Sequence, residues 1–172
     1  MAKDKGKTPA APLAQSATHL LHRALQRALD FHAEESGPSG LTQRQFAVLS
    51  AVAAGEGLSQ SDLVRATGID RSTLADLVAR MMVKGLLLRE RSSADARANV
   101  VSLSEAGRAA LDRGSVPAAA ADERLLSLLG PKKRDAFLKS LTVLAEASGA
   151  AKPQKAEKKK KKKKKALKLV AA

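Results

Sequence analysis

The chain has 172 residues, a formal net charge of +14 and no cysteine, and aromatic residues make up only 2% of it. This length suits one domain with flanking segments. The lack of cysteine excludes a disulfide framework, a cysteine-based zinc site and a thiol nucleophile. A core of Leu, Val and Ala without Trp or Tyr favours a mainly helical fold.

Most of the positive charge lies at the two ends of the chain. Residues 150–172 contain eleven Lys and one Glu, a net charge of +10, and residues 1–12 carry +2. We predict a disordered basic arm over 1–12 and a disordered tail over 150–172, because the eight consecutive lysines from Lys158 to Lys165 repel one another. Residues 13–149 are nearly neutral, so the overall charge does not identify their partner.

The spacing of apolar residues predicts two helices in the first third of the chain. The first covers 13–35 and ends at the Ser-Gly-Pro-Ser-Gly segment 36–40. The second begins after Thr42, which has the spacing of a capping box with Gln45. The predicted buried face of the second helix consists of Phe46, Leu49, Val52 and Ala53.

Two shorter helices follow and are joined at Gly68. The first begins at Ser59, and the second begins at Asp70 or Ser72 and ends before Gly85. Two helices joined by such a turn are typical of a helix-turn-helix, whose second helix enters the major groove of DNA.

The second of these helices has a polar side. Helical spacing places Ser72, Asp76, Ala79, Arg80 and Val83 on this side, with Thr73 at its edge. Hydroxyl and guanidinium groups at a helix start suit contacts to phosphates and base edges. Asp76 has three interpretations: an acceptor for a cytosine amino group, an orienting partner for Arg80, or an ordinary solvated charge.

A change of period after Gly85 predicts a β-hairpin, with strands over 86–92 and 99–103. Leu86 and Leu88 fall on one side of the first strand, and Arg89 and Arg91 on the other, where they either contact phosphates or are solvated. A hairpin directly after a helix-turn-helix makes a winged helix. Its loop contains Arg97, which suits the negative potential of a narrow minor groove.

Two helices complete the chain. One begins after Ser104 and is expected to bend or break near Gly114 and Pro117, and another follows Pro131. The predicted fold class is therefore mainly α with a small β-hairpin, a winged helix-turn-helix with additional N- and C-terminal helices. The apolar face of the last helix comprises Phe137, Leu138, Leu141, Leu144 and Ala145.

The histidines do not indicate a metal site. His19 and His22 are spaced i, i+3, but no Cys, Asp or Glu nearby completes a ligand set. We interpret them as ordinary histidines of a dimer interface or of the surface, with effector contact as a weaker alternative. No catalytic triad, phosphate loop or carboxylate pair is recognisable, so we expect neither an enzyme nor a cofactor.

The chain resembles the MarR family of bacterial regulators over residues 13–148. The resemblance is carried by Leu-Ser-Gln-Ser-Asp-Leu at 58–63, Thr-Gly-Ile-Asp-Arg-Ser-Thr-Leu at 67–74, Lys-Gly-Leu at 84–86, Asp-Ala-Arg at 95–97 and Val-Ser-Leu-Ser-Glu-Ala-Gly at 101–107. Each piece is weakly specific, but their order and spacing together are specific.

The resemblance implies a homodimer held by helices over 13–36 and 105–148, with a DNA-binding lobe over 41–104. It implies that Arg97 enters the minor groove, that Asp95 organises the wing, and that a small anionic or aromatic effector binds between the dimer helices and this lobe. The expected DNA-contacting residues are Arg71, Ser72, Thr73, Asp76, Arg80, Arg89, Arg91, Asp95 and Arg97.

The main hypothesis is thus an effector-responsive repressor that binds double-stranded DNA at the nucleoid, in the cytoplasm and without a membrane partner. The first alternative is an architectural protein similar to a linker histone, with little sequence preference. A weaker alternative is an effector-binding module with no DNA role. The lysine-rich tail, in turn, attracts DNA phosphates, binds another polyanion or has little function.

Removal of the tail tests the first of these tail roles. A chain of residues 1–149 should lose a large part of the salt dependence of DNA binding and keep its site preference, since each lysine that binds a phosphate releases counterions. Full engagement of the eleven tail lysines would change the slope of log K against log salt by about 10. The measurement is a salt titration by fluorescence anisotropy. Loss of site preference with the tail would contradict this division of roles.

Overall fold

The computed structural model describes residues 12–55, 57–91 and 99–150, without the side chains of 91, 99 and 148–150. A short 3-10 helix, Leu13–Gln15, precedes the main elements. These are α1 (Ala17–Ser36), α2 (Gln43–Ala54), α3 (Gln60–Thr67), α4 (Arg71–Val83), β1 (Leu87–Arg91), β2 (Asn99–Leu103), α5 (Glu105–Ser127) and α6 (Pro131–Ala150). The mainly helical fold with one small antiparallel sheet confirms the predicted fold class. None of the described helices is long and apolar enough to cross a membrane.

Side-chain caps start the helices close to the predicted positions. Capping boxes begin α2 at Thr42 and α3 at Ser59, as predicted. Of the two candidate caps for α4, Asp70 is the one that accepts the helix amide, and Ser72 lies within the helix. Ser16 caps α1, so this helix begins about one turn later than predicted.

One hydrophobic cluster unites α2, α3, α4, the hairpin and the start of α5. Its largest fully buried side chains are Leu49, Leu63, Leu74, Met81, Leu87, Val48 and Val78. The predicted buried face of α2 is only partly correct. Val48 is buried although it was not predicted to be. Of the residues predicted to be buried, Phe46 is half-buried and Ala53 is exposed. The face of α2 is rotated because this helix contacts α5 and α3 together.

The two strands of the hairpin are antiparallel, with Leu87 opposite Leu103. The Val101 N–H donates a hydrogen bond to the Leu58 carbonyl, which precedes α3. Leu87 is 1% exposed, whereas Leu88 is 47% exposed. The prediction that Leu88 lies on the buried side of β1 is therefore wrong, because Leu87 occupies that side. Leu87 and Val101 both belong to the buried cluster, and strand alternation places Leu88 on the opposite, exposed face.

Helix α5 runs through Pro117 as a single helix, so the expected break does not occur. Its packing against α1 buries Ala118 and Ala121, and this tertiary contact offsets the loss of one helical hydrogen bond. The chain forms two compact units, one ending at Pro131 and one beginning at Lys132, which contains most of α6. In α6, Leu138, Val143 and Leu144 are 47–66% exposed.

Candidate nucleic-acid interface and effector cavity

The turn between α3 and α4 is held by local hydrogen bonds. Gly68 has a left-handed backbone, with φ of 68°, and its N–H donates to the Val64 carbonyl at 3.0 Å. The Thr67 hydroxyl donates to the Leu63 carbonyl at 2.7 Å and accepts from the Ile69 N–H at 3.3 Å. A side chain at Gly68 would be strained in this conformation. The angle between the two helices is therefore set within a few residues.

Asp70 organises the start of α4. Its carboxylate accepts from the Thr73 N–H at 2.9 Å and from the Ser72 hydroxyl at 2.7 Å. Hydrogen bonds from Thr73, followed by those from Ser72, hold the pKa of Asp70 well below its usual value. Because the Ser72 hydroxyl hydrogen is directed at Asp70, the Ser72 oxygen remains available as a hydrogen-bond acceptor.

The outward side of α4 carries the residues that helical spacing predicted. Ser72, Asp76, Ala79, Arg80 and Val83 are all exposed, and Thr73 is half-buried at the edge. Asp76 binds Arg80 through a contact of 2.8 Å between Oδ2 and Nη2, with both side chains 66% exposed. Asp76 is thus placed to orient Arg80 along the helix, one of its three predicted roles.

Two arginines extend this surface towards α3. The Arg71 guanidinium donates to the Ser61 hydroxyl at 2.9 Å, which links the start of α4 to the start of α3. Arg65 pairs with Asp62 at 2.9 Å, one turn along α3. Sequence reasoning missed Ser61 and Arg65, although the i, i+3 spacing of the acid and the base in α3 was a visible signal.

The wing residues are only partly described. Arg89 is exposed on β1, opposite Val101. Arg91 ends β1, and its side chain is outside the described residues. Asp95 and Arg97 also lie outside them.

A cavity of about 470 Å³ lies where the end of α1, the start of α2, the end of α4 and the middle of α5 meet. Its polar and charged lining includes Gln45, Lys84 and Arg113. The remaining lining residues are Ser36, Ser39, Gly40, Leu41, Leu86, Ala110, Gly114 and Pro117. The family resemblance implied an effector site between the dimer helices and the DNA-binding lobe, but the sequence assigned none of these lining residues, because they come from four separate parts of the chain.

The histidines lie apart from the cavity lining. His19 and His22 are on the first half of α1, where His19 is half-buried and His22 is exposed, and neither lines the cavity. His32 is 7% exposed and has its Nε2 atom 3.0 Å from the carbonyl oxygen of Leu41, a lining residue. The described residues hold no group of His, Asp and Glu side chains placed to bind a metal ion.

Comparisons with known proteins decide the family. The MarR family model matches residues 39–98, which contain the helix-turn-helix. The transcriptional regulator HosA of Escherichia coli is 34% identical over 98 residues, which cover 57% of this chain and 73% of HosA. The chain belongs to the MarR family of transcriptional regulators.

Solved structures of MarR-type regulators have the same fold. Bordetella bronchiseptica BpsR, whose DNA binding is regulated by 6-hydroxynicotinic acid, matches with a TM-score of 0.74 and 29% identity over 79% of this chain and 97% of BpsR. The repressor CouR bound to a 23-mer DNA duplex matches with a TM-score of 0.70 and 30% identity over 81% of this chain and 99% of CouR. These relatives favour a transcriptional regulator over an architectural DNA-binding protein.

The cap at Asp70 should make stability depend on acid pH. Its lowered pKa means that its contribution is complete above about pH 3.8, the value in the unfolded chain, and is lost as the pH falls towards the lower folded value. Asp70→Asn should therefore narrow the difference in thermal midpoint between pH 6 and pH 3. Asp122→Asn, at an exposed position of α5, is the control. An unchanged pH profile in Asp70→Asn would contradict this role.

Proposed function

We propose that this protein is a homodimeric repressor that recognises its operator through α4 and is released from DNA by a small organic anion. The exposed polar side of α4 is the observation that carries the DNA-binding part. Its residues stand on a helix whose opposite side is buried, beside a turn held by short local bonds. The DNA-bound structure of CouR supports the use of this fold on duplex DNA.

The proposed contacts divide between base and backbone. Arg80, oriented by Asp76, reads a guanine edge in the major groove, while Thr73 and Ser72 contact the groove at the helix start. Arg71 and Arg89 contact phosphates. Arg91 and Asp95 complete the wing and Arg97 enters the flanking minor groove, a role that rests on the family resemblance. The protein acts at the nucleoid by binding and not by catalysis.

Exposed apolar side chains support the homodimer. Leu20, Leu21 and Leu25 of α1 are 46–54% exposed, and α6 exposes three further apolar residues. Clusters of this kind mark interaction surfaces. A dimer would place two copies of α4 on half-sites about one helical turn, roughly 10 base pairs, apart.

The cavity supports the effector. A volume of about 470 Å³ is within the range of small-molecule sites, and Lys84 and Arg113 suit a carboxylate. Pro117 lacks an N–H group, so the Arg113 carbonyl does not receive the usual helical hydrogen bond. The carboxylate of an effector would bind Lys84 and Arg113, and a hydroxyl or N–H donor on the same effector would bind the Arg113 carbonyl. BpsR, which responds to 6-hydroxynicotinic acid, supports this chemistry.

The DNA-recognition proposal is tested by Arg80→Ala in a competition gel shift at physiological salt. The probe is the duplex upstream of the protein's own gene, challenged with excess scrambled duplex. Arg80→Ala should weaken specific binding by about 1–3 kcal/mol and leave non-specific binding unchanged, because only a base contact is lost. Lys139→Ala, at an exposed position of α6, is the charge-matched control. Equal displacement by operator and scrambled duplex in the unaltered protein would favour the architectural alternative.

The dimer proposal is tested by Leu25→Glu. A charge on the exposed apolar side of α1 should convert dimer to monomer, since burying an unpaired carboxylate is unfavourable. Mass is measured by light scattering, and helix content by circular dichroism. Gln26→Glu adds the same charge at the adjacent exposed residue and should remain dimeric. A dimeric Leu25→Glu variant would remove this side of α1 from the interface.

A further inference from the structure

Lys84, the C-terminal cap of α4, and Leu86 just after it form one wall of the cavity. Lys84 ends α4, with its N–H donating to the Arg80 carbonyl at 3.1 Å, and it also lines the cavity. Two residues later, Leu86 donates its N–H to the Met81 carbonyl at 2.9 Å and lines the cavity as well. A displacement of Lys84 would therefore move the carbonyl end of the proposed recognition helix directly.

The opposite wall belongs to a helix that is held in place. Ala110, Arg113, Gly114 and Pro117 form one stripe of α5 along the cavity. Further along α5, Arg124 binds Glu34 and Glu35 of α1, each at 2.7 Å. The same Arg124 guanidinium lies 4.4 Å from the centre of the Phe31 ring. The Arg113 wall is thus anchored to α1.

Ser104, the cap of α5, joins the two walls at one edge, where its N–H donates to the Leu86 carbonyl at 3.2 Å. The Ser104 hydroxyl donates to the Gly85 carbonyl at 2.5 Å. Close by, Gly107 permits α5 to approach the Leu86 carbonyl, since a side chain at Gly107 would overlap this oxygen. These are short, local contacts at one edge of the cavity, and they leave Lys84 and Arg113 to face the same space.

The charges in this space are unbalanced. Ion pairs form elsewhere in the described part of the chain, but there no carboxylate pairs with Lys84 or Arg113. Two cations that line one cavity repel each other, and an anion placed between them attracts both. Because Arg113 is on the anchored wall, the attraction acts mainly by drawing Lys84 and the last turn of α4 towards α5.

We infer that Lys84 is the positioning residue that transmits effector binding to the recognition helix, while Arg113 holds the effector. An anion that contacts both cations stabilises a position of the last turn of α4 that no longer fits the operator. This inference rests on the proposed function, and it assigns the regulatory step to one side chain. The effector shifts the equilibrium only because it binds the displaced form more tightly.

A variant without any effector tests this mechanism. Gln45→Glu places a carboxylate in the cavity wall, and it preserves the capping box because a Glu oxygen accepts from the Thr42 N–H as the Gln45 oxygen does at 3.0 Å. In the full chain, Gln45→Glu should lower operator affinity by at least about fivefold, the lower end of typical allosteric coupling. The loss of affinity caused by Gln45→Glu should be much smaller in a chain that also carries Lys84→Gln, with Lys84→Gln alone as the reference for that comparison.

Gln43→Glu is the matched control, with the same charge on the same helix at an exposed residue outside the cavity lining. Any loss of DNA affinity in Gln43→Glu should persist when Lys84→Gln is added. If Lys84→Gln relieved the loss of DNA affinity equally in Gln45→Glu and in Gln43→Glu, the role of Lys84 would be overturned. General charge repulsion would then explain the effect. Thermal midpoints of all variants check that the fold is retained.

A second arm uses 6-hydroxynicotinic acid as the probe, with binding measured by calorimetry and DNA release by gel shift. Lys84→Gln should bind the probe at saturation and no longer release DNA, whereas Arg113→Gln should lose probe binding. DNA release by saturated Lys84→Gln at the unaltered level would overturn the inference. No probe binding by the unaltered protein would count against the proposed effector chemistry, while the effector-free cycle would still decide the role of Lys84.

Discussion

The burial of one side of α4 positions every other functional feature of this protein. Leu74, Val78 and Met81 are at most 1% exposed and pack against side chains of α2 and α3. With 3.6 residues per turn, this packing leaves the opposite side of α4 in solvent, where it forms the proposed DNA surface. The same packing fixes where the helix ends, so Lys84 reaches the cavity. The proposed recognition and the proposed regulation therefore use two ends of one helix.

The proposed DNA surface is organised before any DNA is bound. Arg65, Arg71 and Arg80 each hold an internal hydrogen-bond partner in the described part of the chain. Exposed pairs of this kind add little stability, but they restrict the side chains and compete with phosphates. We therefore expect weak non-specific attraction of the folded part for DNA, in keeping with the near neutrality of residues 13–149. The tail lysines would supply the attraction that the folded part lacks.

The cavity suggests why regulation and DNA recognition are coupled over a short distance. Its walls combine a helix anchored by Arg124 with the end of the helix proposed to read DNA. A bound anion between Lys84 and Arg113, which form no ion pair within the described residues, would contact both walls at once. If DNA binding holds Lys84 away from Arg113, it lowers the affinity for the effector. By linkage, the effector then lowers the affinity for DNA by the same factor.

The features that depend on neighbouring residues could be predicted from the sequence. The capping boxes at Thr42 and Ser59, the turn at Gly68 and the polar side of α4 all follow from spacings of one to four residues, and each was predicted. These signals are local, because a cap or a turn places its donor and acceptor within one helical turn.

The features that depend on distant residues are set by packing between elements and became visible only in the tertiary structure. It showed that Leu87 and not Leu88 is buried, because the hairpin face that carries Leu87 and Val101 packs on the core. It showed that α5 continues through Pro117, because packing against α1 offsets the missing hydrogen bond. The cavity joins Gln45, Lys84 and Arg113 from three helices, and no periodicity along the chain encodes their proximity. Secondary structure is set by local hydrogen bonding, whereas a binding site is set by packing between elements that are far apart in sequence.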